Sequence, residues 1–148
     1  MTPEDNKRVV RRFFEELGGE GNWALLEELV APDAVHVVST PWVPGREGFR
    51  QHILWFRNAY PDMHLTVDDL IAEGDRVIAF WTMRGTHQGE CWGVQPTGRH
   101  VVFSALSRLR VRNGQVCEYE VRPDRLDILL QLGSLGHYAD QLAPSTTT

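Results

Sequence analysis

The 148-residue sequence is almost without lysine. Of its 15 basic residues only Lys7 is one, and the rest are arginine, which we read as a coding bias towards G and C, not as a set of binding forks. Positive charge is also in the minority, with a net charge of −5 and a pI near 5.6. A nucleic-acid binder carries a basic patch or stripe, so that class is excluded. Cysteine is scarce: Cys91 and Cys117 form no CxxC and no zinc spacing, which points to a cytoplasmic protein with reduced thiols. No apolar run approaches the roughly 20 residues that span a bilayer. Met1-Thr2-Pro3-Glu4-Asp5 is acidic and lacks an apolar stretch, so no signal peptide is expected. The six histidines show no HExxH or related spacing, so no metal and no cofactor is expected from motifs. What is present is the balance of an ordinary folded domain, 42% hydrophobic and 24% charged.

The first third reads helical. Asp5 is placed to cap a helix with Val9, Val10, Phe13, Phe14 and Leu17 on one stripe, stopped by Gly18 and Gly19. A short helix from Trp23 to Val30 turns Leu25, Leu26 and Leu29 inward and ends at Ala31-Pro32-Asp33. Val35 to Val38 is a short strand, followed by a loop from Ser39 to Gly45. A third helix from Glu47 to Ala59 carries Phe49, His52, Ile53, Trp55 and Phe56 on a broad apolar face. Strands follow at Met63–Ile71, Arg76–Arg84, Arg99–Arg112 and Gln115–Arg122, the last two joined by an Asn113-Gly114 hairpin turn. Pro123-Asp124 starts a short C-terminal helix that Gly133 ends. Helices followed by a run of strands predict an α+β fold: a cone-shaped α+β barrel whose curved antiparallel sheet is closed by three N-terminal helices, with a short C-terminal helix. We place one domain at residues 1–134 and a tail at 135–148.

Such a cone encloses either core or ligand, and period-two alternation says which residues point in. On the last strand Glu118 and Glu120 share a face. Unpaired carboxylates are costly to bury, so Cys117, Tyr119 and Val121 are assigned inward. The same logic turns Arg108 and Arg110 outward and Phe103, Ala105, Ser107, Leu109 and Val111 inward; Ala79, Trp81 and Met83 are assigned inward on the strand before. The chamber is then free of strand carboxylates. Its polar groups are the Tyr119 and Ser107 hydroxyls, with His52 from the third helix and His36 from the short strand. An imidazole can titrate near neutral pH, and a phenol can donate to a carbonyl or enolate oxygen. Tyr119, His52 and His36 are the candidate catalytic residues. Phe14, Leu17, Trp42, Trp55, Phe56, Trp81, Met83, Phe103, Ala105, Ser107 and Val121 are the candidate substrate-binding residues. Trp42, between two prolines, is either a lid or an edge residue. His87 is read as a turn stabiliser, and Asp124 as a helix start that lies near the rim.

Several segments are similar to a known family. They include Asn6-Lys7-Arg8-Val9-Val10-Arg11-Arg12-Phe13-Phe14-Glu15-Glu16, Leu29-Val30-Ala31-Pro32-Asp33 and Ala59-Tyr60-Pro61-Asp62, and they continue through Asp69–Val77, Gly85-Thr86-His87-Gln88-Gly89-Glu90, Gly93–Arg99 and Leu130-Gln131-Leu132-Gly133. Over roughly residues 5–134 the chain resembles the SnoaL-like polyketide cyclases of the nuclear-transport-factor-2-like superfamily. The resemblance implies an α+β cone paired through the outer face of its sheet, and a cyclase that closes an anthracycline ring by an intramolecular aldol reaction without metal or organic cofactor. The family's acid/base aspartate on the last strand falls at Val121, and its assisting histidine on the preceding strand falls at Ser107, so neither group is present here. Two of the family's pocket positions fall at His52 and His36.

The expectation is therefore a cofactor-independent cyclase of natural-product, polyketide-type biosynthesis acting on a hydrophobic small molecule. Catalysis would rest on folding the substrate and on hydrogen-bond donation from tyrosine or histidine. The alternatives are a water-using member of the epoxide hydrolase, hydroxylase or isomerase type, and a non-catalytic ligand-binding module whose cavity is filled by side chains. Ile78, Phe80, Val102 and Leu106 on the outer sheet face predict a homodimer.

Overall fold

The computed structural model describes residues 1–37 and 42–136. The end of the expected short strand at Val38, the loop residues Ser39 to Pro41 and the tail from His137 onward lie outside them.

Helix α1 (Pro3–Arg12) begins one turn earlier than expected. Thr2, not Asp5, is the N-cap. The Thr2 hydroxyl accepts from the Asp5 N–H at 3.1 Å, and the Asp5 carboxylate accepts from the Thr2 N–H at 2.9 Å, a reciprocal capping box. From Phe13 to Gly19 the helix widens into a π-helical segment, closed by the Glu20 N–H donating to the Glu15 carbonyl at 3.1 Å. The helical run ends at Gly18 and Gly19, as expected, and both glycines are buried in its last, wide turn. A Cβ at Gly19 would stand 3.2 Å from the Leu65 backbone nitrogen, so the missing side chain lets the turn lie directly on the sheet. Arg57 donates to the carbonyls of Gly18 and Gly19 at 3.0 and 2.9 Å, satisfying groups that the end of the helix leaves open.

Helix α2 (Leu25–Leu29) is shorter than expected, because Val30 already begins strand β1 (Val30–Val37). Ala31-Pro32-Asp33 is thus strand, not a stop. Helix α3 (Arg46–Ala59) follows, and its Arg46 side chain donates to the Val30 carbonyl at 2.9 Å, tying the helix start to β1. Strands β2 (His64–Glu73), β3 (Arg76–Thr86), β4 (His100–Arg112) and β5 (Gln115–Pro123) form the antiparallel run. Asn113 and Gly114 both adopt positive φ (53° and 75°), as a type I′ turn requires. Helix α4 (Arg125–Gln131) is capped by Asp124, which accepts from the Asp127 N–H at 3.1 Å.

The five strands are ordered β1-β5-β4-β3-β2. The α+β architecture is the expected one, but the sheet is mixed: β1 runs parallel to β5, setting His36 beside Tyr119. The helices cover the inner face, and the core fills the space between. On β4 the inward set Phe103, Ala105, Ser107, Leu109 and Val111 is buried throughout, as alternation required. On β5 a bulge shifts the register between Arg110–Glu118 and Val111–Val116. Cys117 is the extra residue, its thiol donating to the Arg110 carbonyl at 3.4 Å, and the fully buried Val116 takes the inward place assigned to Cys117. Glu118 and Glu120 face outward, paired with Arg110 at 2.9 Å and Arg108 at 2.6 Å. His87 is fully buried in the β3–β4 connection, its Nδ1 accepting from the Thr97 N–H at 3.1 Å, a turn-stabilising arrangement. Among the described residues no helix is long and apolar enough to cross a membrane.

Candidate active site

Between the inner sheet face and the helices lies a cavity of about 290 Å³, at the lower end of the size range of small-molecule sites. The π-helical segment builds one wall. Both Phe13 and Phe14 line the cavity, their rings 5.1 Å apart and edge to face. Periodicity sets both on the buried stripe, but only Phe14 is among the expected lining residues. Helix α3 adds Phe49, His52, Ile53, Trp55 and Phe56; β3 adds Trp81 and Met83; β5 adds Tyr119 and Val121; and β1 adds His36.

The polar groups are few and connected. The Trp81 Nε1–H donates to the Ser107 hydroxyl at 2.9 Å, and the Ser107 hydroxyl donates to the Tyr119 oxygen at 3.5 Å. The direction of the first bond is forced, because an indole nitrogen can only donate. With the Ser107 hydroxyl donating to Tyr119, the Tyr119 hydroxyl keeps its own proton available for another acceptor. Burial pushes the Tyr119 phenol up to about 12, so it keeps that proton at any ordinary pH. The strand register explains the chain: Ser107 pairs opposite Val121, with Trp81 and Tyr119 its diagonal neighbours on the same face.

His52 and His36 meet directly, Nδ1 of His52 lying 2.9 Å from Nε2 of His36. Burial is the main cause that holds both imidazoles below their ordinary range, and the proximity of His36 lowers His52 further. Both rings are sandwiched: His36 stacks on Phe49 at 4.7 Å, and His52 on Trp42 at 5.2 Å. Trp42 therefore lies over the site and lines the cavity.

Four expected lining residues lie elsewhere. Leu17 is fully buried in the core and does not line the cavity. Phe103 is covered by Phe56, Tyr60 and Trp81, whose rings lie 6.2 to 6.4 Å from it. Ala105 is screened by its cross-strand partners Trp81 and Pro123, which line the cavity in its place. Ser107 sits one layer back, reaching the cavity only through Tyr119. Conversely, the exposed end of the cavity is rimmed by Glu90, Trp92 and Arg125, which sequence reading had not proposed. The Arg125 guanidinium lies 4.5 Å above the Trp92 ring, and Trp92 in turn lies 5.9 Å from Trp55. Glu90 corrects the expectation of an acid-free chamber: the floor carries no carboxylate, but the mouth does. Asp124 is the expected helix start, capping α4 between the lining residues Pro123 and Arg125 without itself lining the cavity. Among the described residues no group of three His, Cys, Asp or Glu is placed to hold a metal.

Comparison with known proteins gives a consistent picture. The family model of the SnoaL-like polyketide cyclases matches residues 8–132. The chain is 27% identical over 110 residues to the aklanonic acid methyl ester cyclase DauD of Streptomyces sp. (strain C5), covering 74% of this chain and 67% of that protein. Among solved structures, TsrD from Streptomyces laurentii superposes with a TM-score of 0.84 at 25% identity, covering 91% of this chain and 99% of the other. IdmH from Streptomyces antibioticus, a candidate polyketide cyclase, superposes with a TM-score of 0.71 at 34% identity, covering 90% of this chain and 99% of the other.

Proposed function

The chain belongs to the SnoaL-like polyketide cyclase family, and from that premise we propose that it is a cofactor-independent cyclase of natural-product biosynthesis that closes a ring within a hydrophobic, polyketide-type intermediate. The observation that carries the reading is the Trp81–Ser107–Tyr119 chain of donors ending in a carboxylate-free cavity floor. Val121 and Ser107 stand where the family resemblance puts an aspartate and a histidine, so a strand carboxylate does not take a proton from the substrate. What the floor supplies instead is shape and a positioned donor. Phe13, Phe14, Phe49, Trp55, Phe56 and Trp81 offer flat apolar surfaces against which a chain can fold with its reacting atoms in contact, and such preorganisation is worth several kcal/mol when the geometry is tight. The Tyr119 hydroxyl then donates to the carbonyl oxygen that gains negative charge as the new bond forms. This set suits Michael-type, spiroketal-type or pericyclic closure.

A cavity open at about 290 Å³ supports a ligand-binding site over a filled module. A water-using reading asks for a carboxylate beside a histidine deep in the cavity, whereas Glu90 is at the mouth, its carboxylate accepting from the Gly93 N–H. The reading includes a cytoplasmic homodimer. Phe80, Val102 and Leu106 are 43%, 41% and 37% exposed on the outer sheet face, a patch that a second copy would cover. The deciding assay incubates the purified protein with polyketides whose last ring is still open, the aklanonic acid methyl ester on which DauD is named among them. A new ring in a product of unchanged mass, or of mass reduced by one water, supports the reading. A product that has gained oxygen or water contradicts it.

A further inference from the structure

Two neutral imidazoles share two ring protons among four nitrogens. In the His36–His52 pair one proton occupies the 2.9 Å contact between His36 Nε2 and His52 Nδ1. The other must lie on one of the two outer nitrogens, and the contact admits only two arrangements. If His52 donates from Nδ1, the second proton lies on His36 Nδ1 and His52 Nε2 is a bare acceptor. If His36 donates from Nε2, the second proton lies on His52 Nε2 and His36 Nδ1 is bare.

The surroundings choose between them. His36 Nδ1 is buried and has no hydrogen-bond partner. Its ring is enclosed by Phe49 at 4.7 Å and Tyr119 at 5.2 Å, faces that offer no strong acceptor. An orphaned buried N–H is rarer in folded proteins than an under-used acceptor, so the proton is kept off that atom. We infer that His36 is a positioning residue that donates from Nε2 to His52 and thereby fixes the proton of His52 on Nε2, making His52 a second hydrogen-bond donor to the substrate oxygen rather than a general base. The donor role towards substrate rests on the proposed cyclase reading; the tautomer itself does not. With Tyr119, whose ring centre is 6.4 Å from that of His52, the site presents two donors from different walls and no resting base on the floor. A clamp of that kind accepts an oxygen that becomes negative during ring closure. It also requires that the substrate arrive with its nucleophile already activated, as an enol or hydroxyl.

The test needs no substrate. In the full chain carrying ¹⁵N-labelled histidine, long-range ¹H–¹⁵N correlation spectra report which ring nitrogen bears the proton. The expected pattern for His52 is a protonated Nε2 and a bare Nδ1. In His36→Phe, which keeps a flat ring but no donor, the His52 Nδ1 resonance moves part-way towards the protonated position. In His36→Gln, whose amide can still donate, it returns towards the wild-type value. A wild-type His52 protonated on Nδ1 overturns the inference, whatever the protein's activity. So does a folded His36→Phe variant in which the His52 resonances do not move. If His36→Phe does not fold, the wild-type spectrum and His36→Gln decide alone. Failure of the cyclisation assay with the expected tautomer in place would count against the proposed function and not against this assignment.

Discussion

The two faces of the β4–β5 hairpin are made by the same residues in alternation, yet they obey different electrostatics. Outward, Arg108 meets Glu120 and Arg110 meets Glu118 across the strands, and water screens what is left over. Inward, Ser107, Tyr119 and Val121 present no formal charge, and the Trp81 and Ser107 protons are each hydrogen-bonded to the next group. A charge on the inner face would have to be desolvated and matched. A neutral donor keeps its hydrogen-bonding power in the dry cavity at much smaller cost. The comparison shows how one hairpin can be both a soluble outer surface and the floor of a reaction chamber.

The largest effect should come from filling the inner face. Val121→Trp places an indole in the cavity opposite Phe13 and Phe14. Turnover should be lost completely while the circular dichroism spectrum and cooperative unfolding persist; retained turnover would show that the cavity is not the site. Removing the donor is the next step down. Tyr119→Phe should lower kcat by about 10²-fold with little change in KM. Ser107→Ala, which removes only the group behind it, should cost about 10-fold, on the order of one hydrogen bond. Equal losses for the two, or none for either, would break the proposed chain of donors.

The charge contrast can be read from pH. His36 and His52 titrate below their ordinary value of 6.5 when folded and near it when unfolded. The unfolded chain therefore takes up protons first. Stability is fully present above about pH 6.5 and declines as pH falls through it towards the native values. Thermal scans should show this decline between about pH 7 and 5, and His36→Phe should make it shallower. Smallest of all, Glu120→Gln on the outer face should cost about 1 kcal/mol or less by denaturant titration, with turnover unchanged.

Much of this contrast is legible in the sequence because alternation is local. Glu118 and Glu120 on one face of β5, with Tyr119 and Val121 on the other, follow from period two and the cost of burying a carboxylate. So does the inward row of β4. What escapes is set by distant partners. The parallel pairing of β1 with β5 brings His36 to Tyr119 from 83 positions away in the chain, and no local pattern in Val30–Val37 announces it. The bulge at Cys117 moves one residue out of phase, which alternation counting does not anticipate. The π-helical segment, whose Gly18 and Gly19 lie against Leu65, depends on a tertiary contact that periodicity does not announce. Glu90 and Trp92 sit in an irregular connection without periodicity, so their place at the cavity mouth appears only in three dimensions. The Gly-Thr-His-Gln-Gly-Glu segment gave a signal for His87 but none for the direction of Glu90.

The central claim is that the cavity works through neutral donors that neither gain nor lose a proton in the working range. The most direct measurement is the pH dependence of kcat/KM on a cyclisation substrate. The account predicts a flat profile between about pH 5.5 and 8.5, because burial holds the two imidazoles below that window and the Tyr119 phenol above it. A rise or fall of tenfold or more centred near pH 6 to 7, abolished by His52→Gln, would show an ionising histidine base and contradict it.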